Sequence, residues 1–273
     1  MDQGLGCRRG FAQSGEFMRS AMGALLLLGT GCFADEVPLR FAVTDGWAMP
    51  MVQIERGRPT QGILPDIMTS LATRMGLPAQ FHVLSRARLD GAMKHGEIDM
   101  RCYVSPDWVK DSGDYLWSVP LFFQRDLLVA TASAPVAVTL ATLPEQPIGT
   151  VLGYTYPTLQ PLFDRSQLHR DDARSQEQVL AKLLAGRYRY GISNQWALDW
   201  FNQRHTADRQ LHEVAVLQEQ QLSCYVRNDP NIPAQRILRT LLNMKTSGEI
   251  DAIIQLYTGR SDASQARSEA PSP

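Results

Sequence analysis

Alternation of apolar and polar positions opens the regular part of the chain. Leu39-Arg40-Phe41-Ala42-Val43-Thr44 predicts a first strand, and Asp45-Gly46-Trp47 turns out of it. Ile63, Leu64, Ile67, Met68, Leu71, Ala72 and Met75 then fall on one helical face, which Gly76 and Pro78 bring to a stop. A second strand is expected over residues 80–84, a helix through Leu89, Ala92 and Met93 as far as Gly96, and a third strand over 98–104. Strands and helices that alternate through short joints imply right-handed crossovers and a parallel sheet. Trp47, Arg86 and Tyr103 then stand near its carboxyl edge, where open α/β sheets bind ligands.

The scheme then repeats. Residues 126–132 predict a strand that leaves the first half through a Pro- and Ala-rich spacer. Residues 148–152 open another, which breaks at Gly153 into a turn and a helix start. Ser175 with Gln178 three residues on has the capping-box pattern, and Val179, Leu180, Leu183 and Leu184 give the buried side of that helix before Gly186. A short strand over 190–193 leads to Asn194, read as the start of a helix carrying Trp196, Ala197, Trp200 and Phe201. Two more strands are expected, over 211–217 and 222–226, the second returning to the first half. Ile237, Leu238, Leu241 and Leu242, then Ile250, Ile253, Ile254 and Tyr257, mark two closing helices. This is the pattern of two α/β lobes, and ligands bind where lobes meet.

Composition narrows the class. The 273 residues are 44% hydrophobic and 20% charged with a formal net charge of -1, which allows one or two ordinary cores; with no basic run, nucleic acid is not an expected partner. Arg19, the apolar run Ala21 to Leu28 and the small residues before Asp35 read as a secretory signal over residues 1–34, with Met18 as an alternative start. The run is too short for a membrane anchor. Cleavage after Ala34 is preferred to lipoprotein anchoring at Cys32, because Gly29 stands where a lipobox needs an aliphatic residue. Residues 261–273, rich in Ser, Ala and Pro, read as a disordered tail. The mature chain keeps Cys102 and Cys224, either one disulfide or two buried strand thiols. The histidines His82, His95, His169, His205 and His212 lack metal-ligand spacing and no serine sits in a G-x-S-x-G elbow, so no catalytic set, metal or cofactor is expected.

The ordered fragments AVTDGWAMP, GILPDIMTSLATRMG, GEIDM, YLWSVPLFFQRDLLVA, IGTVLGYTY, LLAGRYRYGIS and TSGEIDAIIQLYTG resemble the family 3 extracellular solute-binding proteins of polar amino-acid ABC transporters, over roughly Pro38 to Gly259. The resemblance implies a two-lobed periplasmic-binding-protein fold of type II, each lobe a mostly parallel sheet flanked by helices. Lobe I would be 35–128 with 222–260, and lobe II 129–221. It further implies a monomeric, non-enzymatic periplasmic protein without cofactor, which captures a small polar solute, amino-acid-like or carboxylate, for a membrane permease. A dehydratase or lyase of the cyclohexadienyl dehydratase kind, and a ligand-sensing partner of a membrane receptor, are the alternatives on the same scaffold. In this family the return strand lies beside the third strand, which would make Cys102 and Cys224 neighbours.

Two charges that the family uses are missing. Its carboxylate-gripping arginine would fall on Asp111 or, with the gap moved, on Trp108, and its ammonium-binding aspartate on Asn194. Losing both contacts makes ordinary α-amino acids doubtful ligands. The candidate ligand-binding residues are Trp47 and Tyr103 as an aromatic wall, Arg86 as a replacement anion contact, Trp108, Thr155 in the Gly153-Tyr154-Thr155 turn, and Asn194, whose rival role is a helix cap. Arg101, in mid-strand, is expected to pair with a buried carboxylate or else to reach the cleft. An enzyme would draw its acid or base from Asp45, Asp107 or Asp111.

Overall fold

The computed structural model describes residues 37–134 and 138–259. The expected signal segment with Cys32 and the expected tail lie outside these residues. In chain order the elements are β1 (Leu39–Thr44), β2 (Gln53–Glu55), β3 (Arg58–Gln61), α1 (Ile63–Arg74), β4 (Ala79–Leu84), α2 (Leu89–Lys94), β5 (Met100–Val104), β6 (Tyr115–Trp117), β7 (Phe122–Thr131), β8 (Gln146–Val151), α3 (Gln160–Asp164), β9 (Leu168–Ala173), α4 (Gln176–Leu184), β10 (Tyr190–Asn194), α5 (Gln195–Asn202), β11 (Leu211–Arg227), α6 (Ala234–Thr246) and α7 (Glu249–Thr258).

Within each half the core of the sheet is parallel. β1 pairs with β4 and β5, and β8 with β9 and β10, all in parallel register. The strands that carry the chain between halves run the other way: β7 and β11 pair antiparallel along their length, β7 also with β10 and β11 also with β5. The two strands expected over 211–217 and 222–226 are therefore one, the 17-residue β11. Its polar middle, Gln218 to Gln221, stays in the ladder because Asp126 to Phe123 of β7 lie opposite it. The structure adds the β2–β3 hairpin, β6 and β9, none of which the apolar pattern marks.

Apolar packing assigns each element its place. Ile63, Leu64, Ile67, Met68 and Leu71 of α1 are fully buried with Phe41, Met100, Leu222, Ile237 and Ile250 in one core, each such side chain contributing roughly 1.5–3 kcal/mol. The opposite face of that sheet holds Ala42, Leu89, Met93, Ile98 and Tyr225. Leu127, Val151, Val179, Leu183 and Phe201 form one core of the other half; Leu128, Ile148, Leu162 and Ile192 form its second.

Two sequence fragments of the resemblance have visible structural duties. Gly62 has φ 129°, and a Cβ there would lie 2.6 Å from the Met51 carbonyl, so only glycine fits the entry to α1. Its N–H donates to the Tyr257 hydroxyl, which in turn donates to Asp66, so that α7 is tied to the start of α1. In GEIDM the buried Asp99 accepts from Arg40 and pairs with Arg227. The Asp99 hydrogen bond, more than any other effect, raises the Arg40 pKa.

Candidate functional site

A cavity opens between the two halves, with about 60 Å³ available to the centres of water molecules. All six sequence-predicted ligand residues line it: Trp47, Arg86, Tyr103, Trp108, Thr155 and Asn194. The surrounding loops make the first half meet the second here. Gln176 at the start of α4 donates its backbone N–H to the Gly46 carbonyl at 3.2 Å, and Arg86 stacks between Trp108 and Tyr154 at 5.9 and 5.6 Å.

The wall from the first half is shaped by a bulge. Ser223 of β11 opposes Val104 and Tyr225 opposes Arg101, so two residues of β5, Cys102 and Tyr103, face Cys224 alone. Tyr103 takes up the extra length at φ 63°, a conformation rare for a tyrosine. Its ring meets Trp47 edge-on at 6.3 Å and Trp196 of α5 at 5.7 Å. Behind the wall Cys102 and Cys224 form a disulfide across these adjacent strands, their Cα atoms 3.9 Å apart.

Arg101 does not pair with a carboxylate. It is 2% exposed, forms no ion pair with any described residue, and its Nε and Nη2 have no hydrogen-bond partner. Its guanidinium lies 5.9 Å over the Trp47 ring and lines the cavity. The reason is local: the buried acid of its own segment, Asp99, is already occupied by Arg40 and Arg227. Arg86 likewise makes no ion pair among the described residues; burial first, and the nearby Arg101 charge second, lower its pKa.

The carboxylate in this cavity is none of Asp45, Asp107 and Asp111, which do not line it; Asp111 instead pairs with Lys94. It is Asp126, on β7 where that strand crosses between the halves. Burial pushes its carboxyl up to about 6, against the opposing pull of amide hydrogen bonds from Gln124 at 2.5 Å and Gln220 at 3.2 Å. Sequence reading took Asp126 only as the first residue of a strand. The signal that could have found it is the polar triplet Gln124-Arg125-Asp126 set inside the strand between Phe122-Phe123 and Leu127-Leu128.

From the second half, Asn194 caps α5, its Oδ1 accepting from the Ala197 N–H at 2.9 Å, which leaves the amide NH₂ and one oxygen lone pair uncommitted. Tyr154 and Tyr156 complete that wall, and burial raises the pKa of both. The Tyr156 hydroxyl accepts from the Val151 N–H, and Arg170 holds the turn by donating to the Val151 and Tyr154 carbonyls. The Tyr154 hydroxyl is buried without a hydrogen-bond partner. Among the described residues no cluster suited to a metal ion occurs, and no helix is long and apolar enough to cross a membrane.

Neither a family model nor a curated protein sequence matches this chain. Solved structures do. An ancestral arginine-binding protein bound to arginine superposes with TM-score 0.67 at 18% identity, covering 81% of this chain and 97% of that one. The GluR0 ligand-binding core from Nostoc punctiforme in complex with L-glutamate gives 0.64 at 18%, covering 81% and 99%. The ancestral amino acid-binding protein AncCDT-1, a precursor of cyclohexadienyl dehydratase, gives 0.66 at 15%, covering 81% and 95%. The fold is thus the two-lobed fold of periplasmic binding proteins, with its cleft between the lobes, as the resemblance implied.

Proposed function

We propose that this chain is a periplasmic solute-binding protein of the family 3 type, which closes over a small carboxylate-bearing solute and presents the closed form to the permease of an ABC transporter. The observation that carries the reading is Arg101. A guanidinium 2% exposed, with two nitrogens unpartnered and a second arginine lining the same cavity, is costly to bury until an anion meets it. A two-lobed cleft supplies such an anion by closing on it, since closure is favoured only by what both lobes touch.

The division into lobe I, 35–128 with 222–260, and lobe II, 129–221, belongs to the same reading. In support, Phe122 and Leu222 lie in one core and Leu211 in the other; Leu127 and Leu128 already pack in the cores of the second half, which moves the crossing on β7 back to between Phe122 and Leu127. A hinge in β7 and β11 would let the lobes rotate about strands that neither lobe owns entirely. Export through the expected signal segment places the protein in the periplasm.

Thermal-shift and calorimetric titration of the purified protein with small carboxylates and amino acids tests the proposal. At least one should raise the melting temperature and bind with 1:1 stoichiometry. No shift with any polar metabolite would overturn it. One observation favours a catalytic reading beside it: Asp126, a half-buried carboxyl pushed up to about 6, can exchange a proton near neutral pH. Incubation with prephenate or arogenate separates the two, because a binding protein returns either compound unchanged.

A further inference from the structure

We propose that Asp126 receives the ammonium group of the solute while Arg86 and Arg101 each take an anionic group, so that the cleft selects a small acidic amino acid. The inference rests on the solute-binding reading and names its ligand class. It begins from register. Asn194, where the aspartate of the resembled family would stand, is paired with Asp126 across the β10–β7 ladder. The negative charge absent at 194 is therefore present one strand away, on a residue lining the same cavity. Asn194 brings no charge to balance an ammonium, and its carbonyl oxygen already accepts one hydrogen bond from the α5 cap.

Asp126 is placed for that duty. Each of its oxygens accepts one amide hydrogen, from Gln124 and Gln220, and retains a further lone pair. No cation pairs with it among the described residues. The neighbouring Arg125 is engaged by Glu213 and Glu219 of β11. The other titratable side chains lining the cavity are Arg86 from the turn after β4, Arg101 and Tyr103 from β5, and Tyr154 and Tyr156 from the turn after β8.

Charge balance then fixes the ligand. Two guanidiniums and one carboxylate leave one positive charge, which a molecule with two carboxylates and one ammonium neutralises. A dicarboxylate lacking the amine would bring its negative charge against Asp126. A neutral amino acid would leave one guanidinium unpaired in the closed cleft.

The test is calorimetry on the full chain with L-aspartate, L-glutamate, L-glutamine, succinate and glutarate, on wild type and Asp126→Asn, at pH 5 and pH 8. In wild type at pH 8 one acidic amino acid should bind at least about tenfold more tightly than its dicarboxylate or amide counterpart, the worth of one charge-assisted contact. Asp126→Asn should lose roughly ten- to a hundredfold for that amino acid and nothing for the dicarboxylate. Lowering the pH to 5 should weaken the amino acid in wild type only. Asp126→Glu, which keeps the carboxylate, should recover part of the affinity, and a thermal melt of each variant confirms that it folds. Unchanged amino-acid affinity in Asp126→Asn, or a wild-type preference for glutamine or a dicarboxylate, would overturn the assignment while the solute-binding reading stood. That reading fails separately, if neither these compounds nor any wider set of polar solutes binds.

Discussion

Asp126→Asn should make the ligand-free protein more stable, and by an amount that depends on pH. Folding lifts the Asp126 carboxyl from an ordinary 3.8 to about 6, chiefly because burial disfavours its charged form. A carboxyl whose folded value lies above its unfolded one gives the folded state its full stability below about pH 4, and the advantage is lost as pH rises through about 6. A rise of about 2 units corresponds to about 3 kcal/mol at pH 8 and to only about 0.5 kcal/mol at pH 4. Asparagine has no charge to desolvate, and rotation of the Gln124 or Gln220 amide lets each present its oxygen to the new NH₂. The gap between variant and wild type should therefore widen from almost nothing at pH 4 to on the order of 5–10 °C in Tm at pH 8. Thermal melts at pH 4, 5, 6, 7 and 8 without ligand measure it. A gap that does not change with pH, or a variant less stable throughout, would show that the carboxyl titrates at an ordinary value and serves as a structural anchor.

Arg101→Met should likewise raise the melting temperature, by removing a buried charge with two unpartnered nitrogens worth about 1–3 kcal/mol, and should weaken carboxylate binding by about a hundredfold in calorimetry. Arg86→Ala should cost roughly ten- to a hundredfold in the same assay, and Arg86→Lys should recover only part, because an ammonium cannot reproduce the planar two-pronged grip. At Gly149 an added Cβ would lie 2.2 Å from the Tyr188 ring, whose hydroxyl donates to the Val179 carbonyl at 2.6 Å, so Gly149→Ala should destabilise by about 2–3 kcal/mol in denaturant titration. Peptide mapping without reductant should recover Cys102 and Cys224 cross-linked. Replacing both by alanine should cost on the order of 3–5 kcal/mol, since the bridge closes a loop of sequence separation 122.

Elements that bury one clear face could be read from the chain. Ile63 to Met75 shows its apolar face at helical spacing, and α1 buries that face; Asn194 and Ser175 stand where capping residues belong, and both side chains accept the expected backbone N–H. What escaped were elements held by pairing instead of burial. In β9 only Leu168 and Ala173 are buried and four polar residues lie between, so no period marks it; its hydrogen bonds to β8 make it a strand. The polar middle of β11 looked like a break for the same reason. A side-chain pattern reports which face is dry, whereas the crossing strands between lobes have little dry face to report.

The site was legible wherever a residue's place along one element decides its role, and illegible where the decision is made between strands. Trp47, Arg86 and Thr155 follow strand ends, which face the cleft in any open α/β lobe. Arg101 and Asp126 sit inside strands, where a charged side chain is ordinarily matched by a neighbour, and the sequence does not say which neighbour. Asp99 could have been the match for Arg101, but Arg40 and Arg227 hold it, and Asp126 is met by two glutamines and no cation. Comparison along the sequence finds the arginine and the aspartate of the resembled family missing. Across the ladder, where Asp126 faces Asn194 and Arg101 and Tyr103 of β5 line the same cavity, charges of both signs are present. A cleft can keep its charge balance while every individual position changes, because a ligand meets side chains in space and is indifferent to which strand supplies them.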